Sequence, residues 1–211
     1  MLGRKVLHIC TIMSRPEYLL SIYYSIPENA DVVWHIAKSR YTPDLADGMK
    51  SILRSDKRVR LYEIECEDTN TPCKMNYIFH KIMECGVDSY FCIQDDDSVF
   101  LPEMYEVYQE YKDKQMLVVG KQVDKEGRTR LQPSMPCPGA IDTGNFLCHS
   151  GVLVHEPWPN KHWSSEYYVD YEFINAIYKR YGVRNTDLVD RAISIYNKMS
   201  TKPDTLDYIR E

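Results

Sequence analysis

The segment Ser89–Glu103, SYFCIQDDDSVFLPE, runs an apolar stretch directly into three consecutive aspartates, Asp95, Asp96 and Asp97. Carboxylates a few ångströms apart repel one another and raise each other's pKa, so a buried strand ending this way needs something to offset the cost. Solvent, a helix N-terminus, or a cation with its substrate would each serve. In open α/β sheets ligands gather beyond the carboxyl ends of the strands, where these acids fall. Mg2+ and Mn2+ take carboxylate oxygens and keep waters and phosphates as further ligands, so one or two strand-end carboxylates complement a metal–diphosphate. The other reading is a cap on the helix opening near Leu101, a task that needs only one acid.

Outward from the aspartates, apolar runs alternate with helical periods. KVLHICTI (5–12) reads as a strand, and RPEYLLSIYYSI (15–26) follows with helical spacing and Pro16 early, where a helix tolerates it. DVVWHIA (31–37) is a second strand. Thr42-Pro43-Asp44 offers an N-cap, a first-turn proline and an acid, predicting a helix over DLADGMKSILRS (44–55). VRLYEIE (59–65) is a third strand, Thr71-Pro72 repeats the start signal for CKMNYIFHKIMEC (73–85), and YFCIQ (90–94) is the fourth. Strands separated by helices of this length predict β-α-β units and a mainly parallel sheet with helices on both faces.

Beyond the aspartates the pattern loosens. LPEMYEVYQEYK (101–112) is a helix, and QMLVVGKQVD (115–124) and TRLQP (129–133) form a hairpin across Lys125-Glu126-Gly127. PSMPCPGAIDTG (133–144), with three prolines and two glycines, is a loop. NFLCHSGVLVH (145–155) returns to strand, SSEYYVDYEFINAIYKRYG (164–182) is a helix ending at Gly182, and RAISIYNK (191–198) is a short late strand. The expectation is one α/β domain across 1–211, regular in its first half and irregular in its second.

Composition narrows the class. With 211 residues, 44% apolar and 27% charged, the chain is long enough to bury a substantial core. No apolar run approaches the roughly 18–20 residues that cross a bilayer, and the N-terminus lacks a secretory h-region, which predicts a cytoplasmic protein. Seven cysteines without a C-x-x-C pair read as free thiols. A net charge of −5 gives no basic footprint for nucleic acid.

FCIQDDDSVFLPE (91–103) resembles the D-x-D region of GT-A glycosyltransferases, Rossmann-like enzymes that transfer sugars from nucleotide donors. Three more stretches are similar to the family's large inverting branch, in the same order. CTIMSRPEYL (10–19) resembles its opening strand and loop, with Thr11 and Arg15 in nucleotide-contact positions. NTPCKMNYIF (70–79) places Lys74 and Asn76 at its second nucleotide-side segment. TGNFLCHSGVL (143–153) followed by YYVDYEFINAIYKRYG (167–182) resembles the acceptor-side strand and the helix bearing the catalytic acid. The chain is also similar to the N-terminal glycosyltransferase domains of large chlorovirus proteins, which would place it in a host cytoplasm.

The resemblance implies a division of labour. The first hundred residues would bind a nucleotide-diphosphate sugar, UDP-linked in most relatives, and the remainder would bind a glycan or glycoprotein acceptor. Asp97 would ligate Mn2+ or Mg2+, with Asp95 and Asp96 on the donor's ribose or the metal's waters. Asp170 would be the general base, and its helical face, shared with Phe173 and Ile174, would desolvate it and raise its pKa. An ordinary acid in a helix's first turn is the other reading. Asp142, Gly144 and Asn145 stand where relatives shape the donor-sugar pocket, although a proline–glycine loop needs such residues anyway. His162 and Trp163 stand where a Trp can stack on an acceptor sugar; a packed Trp beside a surface His fits equally. Lys198 replaces a metal-reaching histidine of relatives and would pair with the diphosphate instead. The second strand ends HIAKS (35–39) without the relatives' base-reading acid, leaving that task to backbone atoms of 37–39.

Other classes fit parts of the pattern. Aspartyl-phosphate phosphatases also carry D-x-D after a strand, but after the first strand of their domain. Sugar nucleotidyltransferases share the architecture but open with a glycine-rich phosphate loop, which HICTIMSRPE (8–17) lacks. A carbohydrate-binding module has no need of an acid triplet and a second acid on a distant helix.

Overall fold

The computed structural model describes residues 5–67, 70–86, 88–113, 116–160 and 169–196. Four parallel strands make the first half: β1 (Leu7–Ile12), β2 (Val32–Ser39), β3 (Val59–Ile64) and β4 (Tyr90–Ile93). Their order is β3-β2-β1-β4, with β1 paired to β2 on one side and β4 on the other. That arrangement places a topological switch point at β1, with its crevice above the strand's C-terminal end. Short crossovers carry α1 (Leu19–Ser25, entered through a 3-10 turn at Pro16–Tyr18), α2 (Asp47–Ser55) and α3 (Thr71–Glu84).

The second half extends the sheet. After α4 (Pro102–Tyr111) come β5 (Leu117–Val123), β6 (Thr129–Leu131) and β7 (Phe146–His149), giving the order β4-β7-β5-β6. β7 runs antiparallel to both β4 and β5. β8 (Thr186–Ile195) pairs with β5 in parallel, after α5 (Val169–Tyr181) has crossed a face of the sheet. Because β7 is inverted, the loop preceding it sits at the same edge as the ends of β1, β4, β5 and β8.

Two apolar layers sandwich the sheet, as expected for helices on both faces. One gathers Leu7, Ile9, Trp34 and Ile36 with Leu19, Leu53, Met104 and Val107 from α1, α2 and α4. The other gathers Ile78, Phe79 and Ile82 of α3 with Phe91, Phe146, Phe173 and Trp158. No helix among the described residues is long and apolar enough to cross a membrane.

Several boundaries differ from the sequence reading. α2 begins at Asp47 rather than at Asp44, because Asp44 is drawn into ion pairs with Lys38 and Lys50 and Thr42 N–H closes a turn onto Ser39. Asn70, not Thr71, caps α3 by accepting from Cys73 N–H at 3.0 Å. The strand expected over 145–155 stops at His149, where a 3-10 turn over Ser150–Val154 takes over, and β8 starts five residues earlier than expected.

Candidate active site

The acids beyond β4 are neutralised by the loop after β1. Asp96 is 3% exposed and accepts five hydrogen bonds, from Ser14 N–H and Oγ and from the Arg15 backbone, Nε and Nη2. Arg15 Nη1 also donates to Asp97 Oδ2. The first offset of the repulsion is therefore a guanidinium, and Asp96 is the anchor that gives residues 12–15 their path. α4 has Leu101 at its N-cap with no side-chain cap, so none of the three acids performs the capping task.

Asp97 is 2% exposed, and its Oδ1 is buried without a hydrogen-bond partner. Burial raises its pKa, opposed by the Arg15 charge. A buried carboxylate oxygen left unpaired is costly, and a bound cation would supply what is missing. Among the described residues no three His, Cys, Asp or Glu side chains converge to hold a metal. The fit is thus one protein ligand atom, the sort of site in which Mg2+ or Mn2+ relies on water and phosphate for the rest.

Asp95 points the other way, into the second half. Thr143 Oγ1 lies 3.1 and 3.3 Å from its two oxygens and 3.0 Å from Asp142 Oδ1. Asp142 also takes Thr143 N–H at 2.7 Å and Arg130 Nη1 at 2.7 Å. Arg130 is clamped between Gln122 Oε1 and the face of Tyr196, 3.7 Å from the ring centre. Asp170, in the first turn of α5, completes the group and accepts from the Thr143 backbone. Burial, then the charges of Asp142 and Asp95, hold the Asp170 carboxyl well above the ordinary range. Burial and then the Asp142 and Asp97 charges do the same for Asp95. α5 is held in place by Phe173, whose ring lies 5.0 Å from Trp158 and 5.5 Å from Phe79.

Other expected site residues have different surroundings. Thr11 is fully buried and accepts from Trp34 Nε1 at 2.9 Å. Asn76 spends both ends of its amide on the Trp158 backbone, at 2.8 and 3.1 Å, and so ties α3 to the segment between β7 and α5. Lys74 is buried in the first turn of α3. Asn145 is also fully buried, accepting from Asp142 N–H and donating to Ala140 O, which makes it the internal brace of its loop. A Cβ on Gly144 would stand 2.9 Å from Ser194 Cβ, so glycine there allows close approach of the loop to β8. Among the backbone atoms of 37–39, the Ala37 and Ser39 carbonyls accept from Met13 and Thr42 N–H, and the Lys38 side chain pairs with Asp44 and Glu63. His162, Trp163 and Lys198 lie outside the described residues.

Sequence reasoning missed Ser14, Thr143 and Arg130. Ser14 and Thr143 lay within quoted motifs, as the polar neighbours of Arg15 and Asp142. Arg130 gave no signal, being one basic residue in a three-residue strand.

No family model matches the chain, and no curated protein does at the sequence level. Solved structures do match. S. aureus TarS 1–349 superposes with a TM-score of 0.68 at 11% identity over 90% of this chain, and its complex with UDP at 0.68 and 12% over 91%. The mannosyltransferase PcManGT from Pyrobaculum calidifontis, in complex with GDP-Man and Mn2+, gives 0.62 at 12% over 93%. A 4-diphosphocytidyl-2C-methyl-D-erythritol synthase gives 0.57 at 11%, covering 98% of this chain and 97% of its own. The chain spans 60% of the TarS length and 58% of the mannosyltransferase length. At such identities the likeness is one of fold, and that fold is the GT-A-like α/β architecture of these glycosyltransferases.

Proposed function

We propose that the chain is a metal-dependent inverting glycosyltransferase that moves a hexose or deoxyhexose, such as glucose or rhamnose, from a UDP-linked donor to a glycan or glycoprotein hydroxyl. The observation that carries this reading is that two acid groups stand beyond the same edge of the sheet, linked through Asp95, whose charge acts on Asp170 and which itself feels the Asp97 charge. Asp97, with an oxygen to spare, stands on the β4 side; Asp170, half-buried beside Asp142 and Asp95, stands on the α5 side. The neighbours TarS with UDP and PcManGT with GDP-Man and Mn2+ share the fold and support the donor class. The division into a nucleotide half of about residues 1–100 and an acceptor half beyond belongs to the same proposal.

Asp170 takes the proton of the acceptor hydroxyl as that oxygen bonds to the donor's anomeric carbon and the bond to the diphosphate breaks on the opposite face. A carboxyl whose pKa is raised by burial and by neighbouring carboxylates is a stronger base once ionised. Asp97 would hold the divalent cation, which when bound would neutralise charge on the departing nucleotide diphosphate. Arg130 and Thr143 fix Asp142 beside the donor sugar's expected place. Seven free cysteines fit a reducing cytoplasm.

Nucleotide release from UDP-sugars, with and without Mn2+, tests the reading. Asp170→Asn should keep UDP affinity and lose transfer by about 10²–10⁴-fold; retained transfer removes Asp170 as the base. Asp97→Ala should abolish the metal dependence. The nearly end-to-end match to the diphosphocytidyl synthase favours nucleotidyl transfer as a second reading. Against it, the loop after β1 turns on side-chain bonds to Asp96 and contains no glycine. Release of pyrophosphate from CTP, rather than of UDP from a UDP-sugar, would establish that alternative.

A further inference from the structure

The same arginine that neutralises the aspartates also stands in a cation's way. We infer that Arg15 is a resident counter-ion that makes cation binding at Asp97 conditional on a nucleotide diphosphate, so that the two enter the crevice together. This rests on the glycosyltransferase reading above.

Asp96 has no oxygen to give. Oδ2 accepts from Ser14 N–H at 2.6 Å, Ser14 Oγ at 2.8 Å and Arg15 N–H at 2.7 Å, while Oδ1 accepts from Arg15 Nε at 2.9 Å and Nη2 at 2.5 Å. Ligation by Asp96 would dismantle the loop after β1. Asp95 is turned toward Thr143. Asp97 alone of the triplet keeps a buried, unpartnered oxygen, Oδ1, and its other oxygen is held by Arg15 Nη1. A dication arriving at Oδ1 shares one small carboxylate with a guanidinium, and in a buried setting that repulsion is weakly screened. A diphosphate removes it twice over. Its negative charge balances the dication, and its oxygens offer the guanidinium the bidentate partner that arginine geometry favours. The Arg15 side chain is 32% exposed, so it reaches the crevice without the loop moving. Arg15 is in this account a positioning residue that sets the order of binding.

Mn2+ binding to the full chain, followed by the EPR signal of free Mn2+ with and without UDP or GDP, tests this. In the wild type either nucleotide should tighten Mn2+ by more than about tenfold. Arg15→Met removes the competing charge but keeps the three bonds to Asp96 from Ser14 and the backbone, so the loop remains tied. It should bind Mn2+ alone roughly tenfold more tightly than the wild type, with a correspondingly smaller gain from nucleotide. By linkage the gain in nucleotide affinity from Mn2+ shrinks by the same factor. Arg15→Lys keeps the charge and should retain the weak nucleotide-free binding, a distinction that a merely structural role would not produce. Arg15→Met binding Mn2+ alone no more tightly than the wild type, or behaving as Arg15→Lys does, overturns the inference and leaves Asp97 as ligand. If the wild type takes no Mn2+ with either nucleotide, or Asp97→Ala binds as well as the wild type, the functional reading itself falls and the inference with it.

Discussion

Two histidines sealed inside the sheet give the fold an acid-sensitive element whose size follows from the structure. His8 and His35 lie on neighbouring strands, 0% and 1% exposed, with His8 Nδ1 and His35 Nε2 2.9 Å apart. His35 Nδ1 meets the Tyr62 hydroxyl at 3.1 Å, and His8 Nε2 has no partner. Arg60, whose charge acts on His35, stands opposite it in register on β3. Burial lowers the His8 pKa to about 4; burial, then the His8 and Arg60 charges, lowers that of His35 to about 3. Both rings are therefore neutral in the folded state at pH values where the unfolded chain, at about 6.5, already takes up protons. A depressed folded pKa contributes stability that is present above the unfolded value and lost as pH falls through it. At pH 5.0 the shortfall is about 1.5 pH units at ~1.36 kcal/mol each, so ~2 kcal/mol per histidine and ~4 kcal/mol for the pair.

Urea unfolding at pH 7.5 and 5.0 measures this directly. The control is His8→Leu/His35→Leu, in which both partners of the bond are replaced by apolar groups of similar size, a change that is nearly neutral at the higher pH. Carboxylates and the remaining histidines titrate alike in both proteins, so the difference between the two pH-dependent losses isolates the pair. The wild type should lose ~4 kcal/mol more than the double variant. Equal losses, within about 1 kcal/mol, would mean that the pair accepts a proton in the folded state and the argument from burial is wrong.

Two further substitutions separate structural from ligand-binding roles. Asn76→Ala removes both hydrogen bonds to Trp158 and should cost ~1–3 kcal/mol with faster amide exchange over 155–160. Unchanged stability with weakened UDP binding would instead restore the nucleotide contact expected from the sequence. Gly144→Ala drives a Cβ to 2.9 Å from Ser194 Cβ and should cost ~1–3 kcal/mol in urea unfolding. Ser194→Gly in the same chain should recover most of that loss, and a failure to do so would refute the close-approach explanation.

The first half was legible because its signals are local. Apolar runs of strand length, separated by helical periods, specify β1 to β4 and the crossovers between them. The aspartates at the end of β4 then follow from the rule that ligand sites lie at strand ends. What was not legible depends on partners far away in sequence. Asp44 reads as a first-turn acid until Lys38 and Lys50 claim it. Asn76 has the same composition whether it faces a nucleotide or, as it does, the backbone of Trp158, 82 residues on. Arg130 gains its meaning through Asp142 in the loop before β7, Gln122 of β5 and Tyr196 just beyond β8.

The acid triplet shows why topology was needed to divide its labour. β4 lies between β1, which runs parallel to it, and β7, which runs antiparallel. Its C-terminal end therefore borders both the loop leaving β1 and the loop entering β7. Beyond β4 the chain turns, with Ser98 N–H closing onto Asp95 O, so Asp95, Asp96 and Asp97 point in different directions. Asp96 meets Ser14 and Arg15 of the first loop, and Asp95 meets Thr143 of the second. The same turn sets Asp97 against Arg15, which satisfies one of its oxygens and leaves the other bare. Three identical side chains thus acquire an anchor, a link to the Asp170 cluster and a bare carboxylate oxygen from strand direction and the turn that follows β4. Inverting β7 would have moved the 142–145 loop to the far edge of the sheet, and the triplet would then have bordered only half a site.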